Sequence, residues 1–195
     1  MILLYAVIVS IVVSLLRGGR FGSLAKLSFR AGWLAPLAFA LQAIIIYFPL
    51  PETQGMWAPR TLLLLGTYGL LILVALLNRG LPGFWLLGVG LALNLLVMLA
   101  NGGFMPVTAE ALEGAGLSHL ALGQQAGARV LNAKDILLPR EGTRLWALSD
   151  IFVIPPPLGT AFSPGDLFLA LGGFWFFQRG MRPAPSKDSS ERTAL

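Results

Sequence analysis

An all-α integral membrane protein, built as a bundle of five transmembrane helices, is the fold class this sequence predicts, and three observations carry the prediction. Five uncharged apolar stretches recur along the chain. The charged residues, only 12% of the chain against 56% hydrophobic, gather in the joints between them. Each stretch is near the twenty or so residues needed to cross a bilayer core of about 30 Å. Residues 1–181 read as one membrane domain, with an outer loop over 101–161, and residues 182–195 as a disordered cytoplasmic tail rich in Pro, Ser, Lys and Glu.

The first stretch, residues 1–16, has no basic leader and ends in Arg17-Gly-Gly-Arg20 instead of a small-residue cleavage site. It therefore reads as a retained helix and not a cleaved signal. Residues 31–50, 61–77 and 84–100 follow as the second to fourth spans, and roughly 158–178 as the fifth. The uncharged run after Asp166 covers only 167–178, so spanning length requires Ser163-Pro164-Gly165-Asp166 to form the first turn. Ser163 suits the N-cap, Pro164 the first helical position, and Asp166 the third residue of a capping box. Gly66 and Gly69, Gly88 and Gly90, and Gly172 and Gly173 predict close helix approach.

Charge sets the expected orientation. Arg17, Arg20, Lys26 and Arg30 fill the first joint without an acid, Arg79 stands alone in the third, and Arg179, Arg182, Lys187 and Arg192 outnumber Asp188 and Glu191 in the tail. The opposite side holds Glu52, Glu110, Glu113, Asp135, Glu141, Asp150 and Asp166 among fewer bases. The positive-inside rule then places the N-terminus outside and the C-terminus inside. The first joint interleaves its bases with Phe21, Leu24, Leu27 and Phe29, a pattern that suits an anionic leaflet, although plain anchoring explains it more simply. Topology thus accounts for the net charge of +5, and no nucleic-acid partner is expected.

Cysteine is absent and His119 is the sole histidine. That removes disulfides, thiolate nucleophiles and Cys/His metal sites, and no cofactor is expected. Within the spans the polar residues are Gln42 and Asn94, best read as interhelical hydrogen-bonding groups. No charged residue stands at the centre of a span, which argues against a proton-coupled transporter.

The outer loop is long enough to carry structure of its own. It opens on Asn101-Gly-Gly-Phe-Met-Pro106, with Asn101 ending the fourth helix and the glycines turning the chain. Thr108 predicts an N-cap for a short helix over 109–113 that Gly114 ends. A second, weakly amphipathic helix is expected over 117–131, interrupted by Gly123 and Gly127. Residues 145–154 form an apolar run stopped by Pro155, Pro156 and Pro157. Asp150 lies inside that run, where a carboxylate is costly without a partner. Pairing with Arg140 or Arg144, or capping of a local turn, is the simpler explanation; a ligand-binding or catalytic carboxylate is the sharper one. The binding candidates are accordingly Asn101, Arg140, Arg144 and Asp150. The catalytic candidates are Asp150 and Asp166, although its capping role suffices to explain Asp166.

With these motifs in view, the chain resembles an uncharacterised family of small bacterial integral membrane proteins, a domain of unknown function. The resemblance covers roughly residues 1–181. It rests on Arg17-Gly-Gly-Arg20, Gln42, Asn101-Gly-Gly-Phe-Met-Pro106, the run from Leu145 to Phe152 with Asp150, and Ser163-Pro-Gly-Asp166 leading into residues 167–173. It implies a bacterial inner-membrane location and supplies no activity. The family pattern has Gly where Ser149 stands and a β-branched residue where Pro164 stands.

A fainter resemblance is to lipoprotein signal peptidases. Asn101-Gly-Gly, Asp150-Ile-Phe and Gly165-Asp166 are similar in kind to that family's Asn-x-Gly motif and its two aspartate motifs. It implies an aspartyl hydrolase in which two carboxylates share a proton and activate water. The departures are that the Asn motif follows the fourth span instead of the first, that five spans replace four, and that the aspartates stand only sixteen residues apart.

The functional expectation is a multi-pass inner-membrane protein that binds without catalysis. Beyond the lipid bilayer itself, its partner is a lipid, a small ligand or another membrane protein, held by the outer loop and the bundle mouth. The aspartyl hydrolase is the alternative, and a channel would require a polar path through the helices.

Overall fold

A computed structural model of the chain describes residues 2–48, 56–121, 123 and 125–182. Pro49 and Leu50 of the second expected span, the outer-side acid Glu52, and the tail from residue 183 onward lie outside the described residues. Among those described, seven helices run in the order α1 (Ile2–Leu16), α2 (Phe21–Leu24), α3 (Leu34–Tyr47), α4 (Pro59–Leu77), α5 (Phe84–Ala100), α6 (Ala109–Gly114) and α7 (Pro164–Gly180). Four short strands accompany them: β1 (Met105–Val107), β2 (Asp135–Leu137), β3 (Phe152–Ile154) and β4 (Thr160–Phe162).

This architecture corrects the all-α bundle of five transmembrane helices. The five apolar stretches are helical, but α1 has 15 residues, α3 14, and α5 and α7 17 each. At about 1.5 Å per residue the helix α1 reaches only about 22 Å. Among the described residues only α4, with 19 residues and a hydropathy of 2.0, is long and apolar enough to cross a membrane. α5 keeps its expected bounds and α1 all but one residue of its own, whereas local chemistry shortens α3 and α7. Phe48 is already extended (φ −91°, ψ 142°) and closes α3. The capping box at Ser163 starts α7 there, and the residues just before it, expected to belong to the fifth span, form β4. The orientation deduced from five crossings loses its basis with them.

The all-α expectation also fails in the segment between α5 and α7. β1 pairs in parallel with β2, Met105 opposite Asp135. β3 pairs antiparallel with β4, Phe152 opposite Phe162. Residues 117–131 do not form the expected helix: a single 3-10 turn, Ser118–Leu120, gives way to a bridge between Ala121 and Val130. Gly127, at φ 91°, sits in backbone that no right-handed helix admits.

The helices pack through small polar groups and glycines. Ser10 and Ser14 of α1 donate to the carbonyls of Phe174 and Phe177 of α7, both at 3.2 Å, so these two helices run in the same direction. Gln42 of α3 donates to Thr67 Oγ1 of α4 at 2.9 Å, the interhelical bond expected of it. α5 and α7 are antiparallel and nearly touch: a Cβ at Gly172 would lie 2.8 Å from the Gly83 carbonyl oxygen. Gly90 meets Gly165 in the same way, whereas Gly66, Gly69 and Gly173 face open space and mediate no close approach. The main core gathers Leu64, Tyr68, Leu71, Val97 and Met98, and Met105 joins it from β1. A second, smaller core (Val107, Ala111, Leu112, Val130 and Leu137) makes the segment after α5 a folded cap.

Candidate functional site

The cap is fastened where α5 ends. Asn101 Nδ2 donates to the Val97 carbonyl at 2.8 Å, closing the helix, and to the Arg144 carbonyl at 2.8 Å. The Arg144 amide donates back to Asn101 Oδ1 at 2.9 Å. Gly102 (φ 80°) and Gly103 (φ 96°) then turn the chain into β1, as their positions predict. Thr108 caps α6 through its hydroxyl oxygen, which accepts from the Ala111 amide at 3.2 Å. On the other edge of β1 the Asp150 amide donates to the Pro106 carbonyl at 3.2 Å. Residues 145–154 therefore lie against the cap as a 3-10 turn, Trp146–Leu148, followed by β3.

These elements enclose a cleft of about 470 Å³. Its wall is apolar, made by Ala111, Pro139, Trp146, Ile151 and Val153, and its polar groups come from Thr108, Glu110, Arg140 and Glu141. The Arg140 guanidinium stacks on the Trp146 ring with Cζ 3.9 Å from the centroid. That contact fixes a flat cation against an aromatic face at the edge of an apolar surface. Hydrogen bonds from its own backbone amide and from the Thr108 hydroxyl hold the Glu110 carboxyl below its usual range, so it stays ionised.

Asp150 does not line the cleft. It is 4% exposed and its Oδ1 is buried without a hydrogen-bond partner. Neither expected cation reaches it among the described residues: Arg140 is stacked on Trp146, and Arg144 meets Asn101 through its backbone. Its charged neighbours are Asp135, Lys134 and Asp166 instead. Lys134 Nζ donates to the Tyr68 hydroxyl at 3.1 Å, linking the cap to α4. Asp135 Oδ1 is likewise buried without a hydrogen bond. Burial, reinforced by Asp135, pushes the Asp150 carboxyl well above the usual range. Burial pushes Asp135 up to about 6, against the pull of Lys134.

Asp166 is engaged elsewhere. Its Oδ1 accepts from Asn94 Nδ2 at 2.9 Å and its Oδ2 from the Ser163 amide at 3.1 Å. The Ser163 hydroxyl accepts from the Asp166 amide at 3.1 Å and donates to Asn94 Oδ1 at 2.8 Å. The predicted capping box is present, and Asn94 ties it to α5. Among the described residues no hydrogen bond joins Asp150 to Asp166, so the two catalytic candidates do not form a bridged pair. The acid that faces Asp150 is Asp135, which the sequence offers only as one more outer-side charge. Trp146 also escapes the sequence reading; its position in an apolar run five residues after Glu141 is the only signal it carries.

Among the described residues no three His, Cys, Asp or Glu side chains are placed to hold a metal ion. The profile of a family of unknown function (DUF5317) matches residues 26–178. No curated protein and no solved structure matches the chain.

Proposed function

The chain belongs to DUF5317, a family of unknown function, and on that premise we propose that it is a membrane-associated protein that binds a small amphipathic molecule in the cleft of its cap without transforming it. The observation that carries this reading is the stack of Arg140 on Trp146 at the edge of an apolar wall. Ligand sites commonly combine a concave apolar surface with a few fixed polar groups. The body of the ligand lies along Ile151, Val153 and Ala111, and its polar end meets Arg140 and the carboxylates beside it.

Membrane association is supported by the length and hydropathy of α4. It is supported further by large apolar side chains left exposed on the other helices, among them Val9, Leu16 and Phe39. Surfaces of that kind are rare on proteins surrounded by water alone. The non-catalytic reading is supported by the separation of the two catalytic candidates from the cleft, whose own acids are Glu110 and Glu141. Asp135 and Asp150 stand outside the cleft lining, and both oxygens of Asp166 already accept hydrogen bonds.

Hydroxyl-radical footprinting before and after exhaustive detergent washing tests the proposal. Trp146 and Val153 should be protected in the protein as first purified and labelled more strongly once washed. Equal labelling in both preparations would overturn it.

A further inference from the structure

At the end of α7 remote from the cap, α1 and α7 close together on a second concave site of about 340 Å³, lined by Ser14, Arg17, Gly19, Gln178 and Arg182. We propose that this pocket binds a phosphate-bearing anion between the guanidinium groups of Arg17 and Arg182.

The pocket is built, not incidental. Gln178 Nε2 donates to the Ser10 carbonyl at 3.0 Å, which fixes the amide and leaves its oxygen facing Arg17. Arg17 Nη1 donates to that oxygen at 3.3 Å. One donor of the guanidinium is thereby spent on holding it in place, and the others remain for a ligand. The walls are fastened to each other: the Arg20 amide donates to the carbonyl of Met181 at 2.8 Å, and Met181 is fully buried. Gly19 forms the floor, where a Cβ would lie 2.6 Å from Ser14 Oγ.

The chemistry of the lining selects the ligand. Among the described residues no carboxylate pairs with Arg17 or Arg182, and no acid lines the pocket. Two guanidinium forks facing one cavity match the oxygens of a phosphate, which accept paired hydrogen bonds. Favourable placement of bases at helix C-termini explains an arginine at the end of each helix. It does not explain an amide oriented to hold one of them at the mouth of a cavity. Leu16, 82% exposed beside Arg17, supplies an apolar flank on which an acyl chain can rest. A lipid headgroup and a free small molecule both offer such a phosphate, and the first source rests on the membrane association proposed above.

Native mass spectrometry of the delipidated full chain, titrated with phosphatidylglycerol or phosphatidylcholine, tests the site. The wild type should retain a single phosphatidylglycerol in preference to phosphatidylcholine. Arg17→Gln combined with Arg182→Gln should weaken that adduct by about tenfold or more. Lys26→Gln combined with Arg30→Gln removes equal charge outside the pocket and should leave it. Displacement by millimolar inorganic phosphate would mark a small-anion site and resistance a headgroup site, and either supports the pocket. Should the double variant fail to fold, Arg182→Lys keeps the charge, loses the fork and should still weaken binding severalfold. Unchanged binding in the pocket variants, or an equal loss in the control, would overturn the proposal.

Discussion

Asn101 and Arg144 hold each other in both directions: the Asn101 amide donates to the Arg144 carbonyl at 2.8 Å, and the Arg144 amide donates to Asn101 Oδ1 at 2.9 Å. One side chain at the end of α5 thereby satisfies both backbone groups of a residue two positions before Trp146. Asn101→Ala removes both bonds and should cost about 1–2 kcal/mol. Chemical denaturation reads the loss, and hydrogen exchange at residues 145–150 should accelerate more than exchange within α4. Uniform acceleration would assign Asn101 to global stability alone.

The contact between α5 and α7 leaves no room for a side chain. Gly172→Ala places a methyl 2.8 Å from the Gly83 carbonyl oxygen and 2.9 Å from the Leu87 amide nitrogen. Backbone cannot move aside as a flexible side chain can, and overpacking of this kind costs about 1–3 kcal/mol. Gly66→Ala, in open space, should be neutral or stabilising by up to about 1 kcal/mol. Thermal melts of the two variants should move apart, the first downward.

Asn94 links Ser163 and Asp166 across two helices, so Asn94→Leu leaves a buried carboxylate oxygen without its donor. The loss should be about 1–3 kcal/mol. Ser163→Ala breaks the cap itself and should cost about 0.5–2 kcal/mol. Because the two residues share one network, the double variant should lose less than the separate losses combined. Strict additivity in the cycle would show that they act independently.

Asp135 and Asp150 give stability a pH dependence of definite sign. Both carboxyls titrate higher in the folded chain than the ordinary 3.8, Asp135 at about 6. The folded protein therefore binds more protons than the unfolded chain between roughly pH 4 and pH 6. Stability from Asp135 is fully present below that window and is lost as pH rises through it, and the raised Asp150 carboxyl contributes with the same sign. The melting temperature should be higher at pH 5 than at pH 7, and Asp135→Asn should flatten the difference. A melting temperature that climbs from pH 5 to pH 7 would contradict this account.

Local signals were the legible part of the sequence. Ser163 with Asp166, Thr108 before α6, and Asn101 before two glycines each act within a few residues, and each forms the motif its spacing implies. Apolar composition located the five principal helices and fixed the bounds of α5, but it overstated α3 and α7, because it does not register where backbone turns or caps cut a run short. The cap was illegible for a different reason. β1 and β2 are three-residue strands that pair about thirty residues apart, and no periodicity survives in so short a segment. Lys134, Asp135 and Tyr68 meet only once that pairing exists, so Asp150 acquired neighbours other than the arginines nearest in sequence.

Native mass spectrometry of the protein released from lipid nanodiscs, comparing wild type, Trp146→Ala and Asp150→Asn, tests the binding role most directly. The cleft account predicts a discrete small-molecule adduct on the wild type that Trp146→Ala loses and Asp150→Asn retains. An adduct that survives in Trp146→Ala and disappears in Asp150→Asn would contradict it and move the site to the buried acids.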